Sequence, residues 1–153
     1  MLHAFRHALL GAFIAALVAL PAGAGDEKRI PINTGADNVS IMGYDAVAYF
    51  TEGQPTKGTH EFAFSWQDAQ WRFANARNRD LFATKPERYA PQFGGFCSMA
   101  MTRGEIKVID PEAWAIVDGK LYLSFSKRGI RKFRRNPADN IKKAEAAWAK
   151  SRQ

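Results

Sequence analysis

Trp114-Ala115-Ile116-Val117-Asp118-Gly119-Lys120-Leu121-Tyr122-Leu123-Ser124-Phe125 is the stretch whose reading decides the fold. Two apolar-rich runs flank Asp118-Gly119, the pair most favoured in a type I′ turn, where both central residues need positive φ. A two-residue loop fixes the strand register, so Ile116 should face Leu121 and Trp114 should face Leu123. Those four residues and Phe125 then share one side of a hairpin, and that side is the expected core surface.

Working upstream, Phe62, Phe64 and Trp66 alternate with Ala63 and Ser65, and Trp71 and Phe73 repeat the alternation after Gln67-Asp68-Ala69-Gln70. This predicts a second hairpin with an aromatic inner face. Asn75 is placed to cap a short helix running to about Thr84 that buries Leu81 and Phe82, and Pro86 opens a further turn ending near Tyr89. Ile41 to Phe50 is a dense apolar block interrupted by one acid, Asp45. Downstream, Ser126 is placed to cap one helix, and Asn136-Pro137 starts another with Ile141, Ala144 and Trp148 on its inner stripe. The expected class is α+β: small antiparallel β-hairpins packed with short helices, a single domain after a cleaved signal peptide. Residues 25–40 read as a polar lead-in with room for one short strand, and residues 41–150 as the domain proper with C-terminal helices.

The signal peptide is read from residues 1–24. Met1 to His7 carries Arg6 and no acid, Ala8 to Leu20 is uninterrupted small and apolar, and Ala22-Gly23-Ala24 after Pro21 fits signal peptidase. The apolar run is shorter than the roughly 18 residues of a spanning helix. The expectation is a periplasmic or secreted protein, cleaved after Ala24 and not integral to the membrane once cleaved. Cleavage removes one arginine and no acid, so the formal charge falls from +7 to +6, and it leaves His60 as the single histidine beside the single cysteine, Cys97. One Cys and one His exclude a four-ligand Cys/His zinc site within the mature monomer. A Cys-His or Ser-His-Asp constellation would have to use His60, which has no motif around it.

Cys97 sits in Gly94-Gly95-Phe96-Cys97, followed by Met99 and Met101. The glycines predict a turn opening a short helix and allow another group or a ligand to approach the backbone closely. A cysteine in the first turn of that helix would meet exposed N–H groups that favour thiolate. Three readings stay open: a thiol buried in packing, a redox-active thiol, and a metal ligand. On a helix Cys97 and Met101 share a face at i and i+4, and a thiolate–thioether pair suits Cu(I). Tyr44 and Asp45 are a second candidate ligand-binding place, together with Gly94 and Gly95. A buried carboxylate at Asp45 demands partners, either a local cap or a small polar pocket. Lys127, Arg128, Arg131, Lys132, Arg134 and Arg135 crowd one basic stretch. Export argues against nucleic acid as its partner and leaves anionic lipid, an acidic protein or a solvated face.

Gly43-Tyr44-Asp45-Ala46-Val47-Ala48-Tyr49-Phe50, Trp71 to Asn75, Phe82 and Pro86-Glu87-Arg88-Tyr89 together resemble the YHS domain. The chain is most similar to small exported bacterial YHS-domain proteins, some of selenoprotein type. In these a Gly-Gly-aromatic-Cys segment follows, as does a stretch like Asp110-Pro111-Glu112-Ala113-Trp114. The resemblance spans roughly Ile41 to Trp148. Its metal-handling branch carries cysteines at the positions that hold Ala48, Ala74 and Asn78 here, so that thiol set is missing. The resemblance supports the fold and weakens an inherited copper site. The leading expectation is an exported, non-enzymatic binding protein that takes a soft metal such as Cu(I), or an associated small ligand, around Cys97 with Met101 as helper, and whose partner is a metal ion or an envelope protein. The alternatives are a thiol redox protein using Cys97 and a structural or interaction module of the envelope.

Overall fold

The Asp118-Gly119 hairpin forms in the expected register. In the computed structural model, which describes residues 30–152, strand β3 (Asp110–Val117) pairs antiparallel with β4 (Lys120–Ser124), setting Trp114 opposite Leu123 and Ile116 opposite Leu121. Asp118 and Gly119 both take positive φ, as the two-residue turn requires. The proposed signal peptide, residues 1–24, lies outside the described residues.

One expectation for this hairpin is corrected. Leu121 and Leu123 are buried, but Ile116 is 36% and Phe125 60% exposed. Ile116 lies one residue from the turn, and its partner across the hairpin, Leu121, takes the buried position of the pair. Phe125 falls after the end of β4, where the chain turns into a helix. The opposite face is buried as well: Ala113, Ala115 and Tyr122 pack with Ile130, Phe133, Ala144 and Trp148. The hairpin is thus a wall between two cores. Small residues on β3 let helices come close on that side, a role that an alternation count does not reveal.

The other hairpin pairs β1 (Thr59–Trp66) with β2 (Ala69–Phe73), with Phe64 opposite Trp71. Its turn is only Gln67-Asp68, both at positive φ, so Ala69 and Gln70 already belong to the strand. Helix α1 (Ala48–Thr51) precedes it, and α2 (Ala76–Thr84) follows, capped by Asn75, whose side chain accepts the Asn78 N–H at 2.8 Å. Phe82 on α2 is fully buried, with the rings of Phe64, Trp66, Trp71 and Phe73 at centroid distances of 4.8 to 6.3 Å. Burying such a ring contributes about 1.5–3 kcal/mol before the edge contacts are counted. Leu81 is only half-buried.

Helix α3 (Pro86–Tyr89) leads into a 3-10 turn at Gln92–Gly95 and then α4 (Ser98–Met101). After the second hairpin, α5 (Lys127–Arg135) is capped by Ser126, which accepts the Gly129 N–H at 3.1 Å. Helix α6 (Pro137–Ser151) starts at Pro137 as expected and buries Ala144 and Trp148, with Ile141 half-buried. The architecture is α+β, two separate two-stranded antiparallel sheets joined by helical packing. Among the described residues no helix is long and apolar enough to cross a membrane.

The end of the lead-in is woven into this framework. Ser40 N–H donates to the Gln70 carbonyl at 2.9 Å, Val39 bridges to Gln70, and Ile30 N–H donates to Gln67 Oε1 at 2.9 Å. Residues 30–40 act as a strap across the edge of β2 and the 92–95 turn.

Candidate functional site

Three places carry chemistry-bearing residues: the Asp45 carboxylate, the Gly94–Met101 segment, and a cleft that the sequence did not announce.

Asp45 is completely buried and fully partnered. Oδ1 accepts the N–H groups of Val47 at 2.8 Å and Ala48 at 3.1 Å, which caps α1. Oδ2 accepts the Ala74 N–H at 2.9 Å and the Asn78 side-chain amide at 2.7 Å. One carboxylate therefore joins α1, the end of β2 and the start of α2. Ala48, Ala74 and Asn78 all converge on Asp45. Four donors leave little acceptor capacity over, so Asp45 is a structural junction and not a pocket wall. Tyr44, beside it in sequence, is half-buried and holds the Lys57 ammonium 4.5 Å above its ring.

The glycines at 94 and 95 meet their own chain. Phe93, Gly94 and Gly95 take φ of 56°, 61° and 81°, a left-handed run that is costly for Phe93 and free for glycine. The turn aims two carbonyls at Asn33: Gly94 O accepts its backbone N–H at 2.8 Å and Gly95 O its side-chain amide at 3.0 Å. A Cβ on Gly94 would stand 1.9 Å from the Pro31 carbonyl oxygen. The close approach anticipated for these glycines is made by the strap.

Cys97 is the N-cap of α4, not a first-turn residue, and only 3% exposed. Its N–H donates to the Lys107 carbonyl at 3.0 Å. Its sulfur accepts the Phe125 N–H at 3.2 Å and lies 3.4 Å from Ser124 Oγ. A methyl group on Gly129 would stand 2.5 Å from that same oxygen, so α5 packs directly over the serine beside the sulfur. Met101 is fully buried too, but in the cluster of Phe93, Tyr122 and Phe133, whereas Cys97 belongs to the cluster of Ile41, Trp71 and Leu121. The two residues are one helical turn apart, with the Met101 N–H donating to the Cys97 carbonyl at 2.9 Å, and their side chains belong to different apolar clusters. The thiol is covered, and the thioether packs in the other cluster. Among the described residues no three His, Cys, Asp or Glu side chains group as metal ligands. His60 is exposed on β1.

The open site lies between the first hairpin, the strap and α6. A cleft of about 490 Å³ has Trp66, Phe93 and Trp148 among its apolar walls. Glu87, Lys120, Glu145 and Arg152 supply charge around it. The Arg152 guanidinium lies 5.6 Å from the centre of the Trp148 ring, within cation–π range. Its Nε is buried and has no hydrogen-bond partner among the described residues. The lining comes from five separate chain segments, and no spacing in the sequence links them. Trp66 and Trp148 could be read only as core residues.

The shifted titrating groups are not part of the cleft lining, although Tyr122 packs behind it on Phe93 at a ring distance of 6.0 Å. Burial raises the Tyr49 phenol, whose hydroxyl donates to the Pro111 carbonyl at 3.0 Å, and burial pushes Tyr122 up to about 12. Hydrogen bonds from Arg103 and Lys107 hold Glu105 down at about 2 on the surface loop after α4. None of the three is paired with a second group in an acid/base arrangement. Compared with described protein families, curated proteins and solved structures, the chain matches none.

Proposed function

We propose that this chain is an exported, non-enzymatic binding module of the YHS-domain type, and that it takes a small aromatic or aliphatic acid in the Trp66–Trp148 cleft. The observation that carries the reading is the Arg152 side chain, laid near the Trp148 ring with a buried, unpartnered Nε. A buried unmet donor costs about 1–3 kcal/mol, and a carboxylate or sulfonate entering the cleft would relieve that cost. Aromatic walls supply the apolar contact, and a few charged groups fix orientation, the usual composition of a small-molecule site. Cys97 is in this reading a packing thiol. A soft-metal or redox role would first have to uncover its sulfur.

Anilinonaphthalene sulfonate, an aromatic acid, is the probe. Added to the chain from Gly25 onward, it should quench tryptophan fluorescence saturably, and neutral N-phenylnaphthylamine should bind at least about tenfold more weakly. Arg152→Gln should weaken the acid by about tenfold or more and leave the neutral compound unchanged. Equal binding of both compounds, or no effect of Arg152→Gln, would remove the basis of the proposal. For the thiol, iodoacetamide should react on the order of a hundredfold more slowly with the folded chain than with the urea-unfolded chain. Equal rates would return Cys97 to the list of functional groups.

A further inference from the structure

Helix α5 reads Lys127-Arg128-Gly129-Ile130-Arg131-Lys132-Phe133-Arg134-Arg135, six cations and no acid. At 3.6 residues per turn, Ile130 and Phe133 point one way, and both are buried. Arg128, Arg131, Lys132 and Arg135 point the opposite way, are exposed, and line a shallow recess of about 370 Å³. None of the six cations forms an ion pair among the described residues. Like charges this close repel one another, so the face is held at an electrostatic cost that an anionic surface would offset.

A second feature lies at the same end of the helix. Phe125, the residue before the Ser126 cap, is 60% exposed, and Ile106 and Val108 are 53% and 63% exposed. The Phe125 N–H donates to the Cys97 sulfur, and Lys107, between Ile106 and Val108 in the chain, accepts the Cys97 N–H. Large apolar side chains projecting from a rigid backbone next to a cationic helix face make an amphiphilic surface. A cationic helix face with an exposed phenylalanine at its start matches the interface of an anionic bilayer, where charge attracts and apolar groups enter the headgroup boundary.

We infer that the α5 face docks the folded domain on an anionic lipid surface, with Phe125 entering the interface and Arg128, Arg131, Lys132 and Arg135 meeting the headgroups. This lies beyond the cleft reading and does not depend on it. The α6 cleft and the solvent face of α5 involve different residues, so a bound domain could hold its ligand while docked.

The test is co-sedimentation of the chain from Gly25 onward with vesicles of phosphatidylcholine alone or enriched in phosphatidylglycerol. Starting at Gly25 removes the N-terminal apolar run, and the packed cores lie within residues 30–152. Binding is expected to the anionic vesicles only and to fall steeply with salt. Each cation removed should weaken it by about fivefold, so the combined Arg128→Gln, Arg131→Gln, Lys132→Gln and Arg135→Gln variant should lose it. Phe125→Ser should weaken vesicle binding by about tenfold while retention on heparin, a polyanion without an apolar phase, stays unchanged. Phe125→Ser keeps the backbone N–H that Cys97 accepts, so it tests the surface without touching the core. Retention on heparin or polyglutamate with no vesicle binding would assign the face to an acidic macromolecule and overturn the proposal. Equal sedimentation with neutral vesicles, or of the fourfold variant, would overturn it as well.

Discussion

Asp45 and Arg152 are both ionisable side chains with polar atoms buried in the domain. Asp45 has four donors on its two oxygens, whereas Arg152 keeps a buried Nε with no partner among the described residues. The sequence points to Asp45, an acid inside an apolar block, and passes over Arg152 at the tail of a charged helix. The structure reverses their interest. A buried charge whose every need is met belongs to the fold, and the unmet one beside an open cleft is where we propose binding.

The contrast can be broken in several ways. The largest effect is expected for Asp45→Ala, which strands three backbone N–H groups and the Asn78 amide and should lower stability by about 3–5 kcal/mol in urea unfolding. A loss below about 1 kcal/mol would mean the junction is not what joins α1 to β2 and α2. Gly94→Ala should come next, at about 2–4 kcal/mol. The new Cβ would meet the Pro31 carbonyl at 1.9 Å, and the residue would keep a φ of 61°. Near-wild-type stability would show that the strap is not docked as described.

High pH should loosen the two cores together. Tyr49 and Tyr122 are raised by burial from an ordinary 10.0, so folding favours their neutral forms. That stability is complete below pH 10 and is lost as pH rises through the window toward about 12, the Tyr122 value. Urea midpoints should fall over this range, and Tyr49→Phe, which cannot ionise, should flatten the fall. A midpoint flat across it would contradict the burial argument. The smallest stability effect is expected for Arg152→Gln, within about 0.5 kcal/mol, although binding of the sulfonate probe should drop. If this variant instead unfolds the protein, Arg152 is a second Asp45 and the contrast disappears.

How far the sequence can be read depends on the range of the interactions involved. Asp118-Gly119 and its alternating flanks gave the register of β3 and β4 correctly, because turn type and strand period are local. Asn75, Ser126 and Pro137 marked helix starts for the same reason, since a cap bonds residues two or three positions away. The burial of Ile116 and Phe125 was misjudged, because alternation tells which residues share a face and not how far the core extends. Gly94 and Gly95 were recognised as a place of close approach, but the visitor, Pro31 with Asn33, lies some sixty residues earlier in the chain.

The sequence by itself determined the α+β class, both hairpins, the capped helices, and the need of Asp45 for partners. Chain order, periodicity and the chemistry of single residues carry that information. Tertiary structure alone decided that the Cys97 sulfur is covered by the Phe125 N–H, Ser124 and α5, that Met101 serves another core, and that Trp66 and Trp148 wall one cleft with Arg152. Such arrangements join residues distant in sequence, and their energy exists only once separate elements have packed.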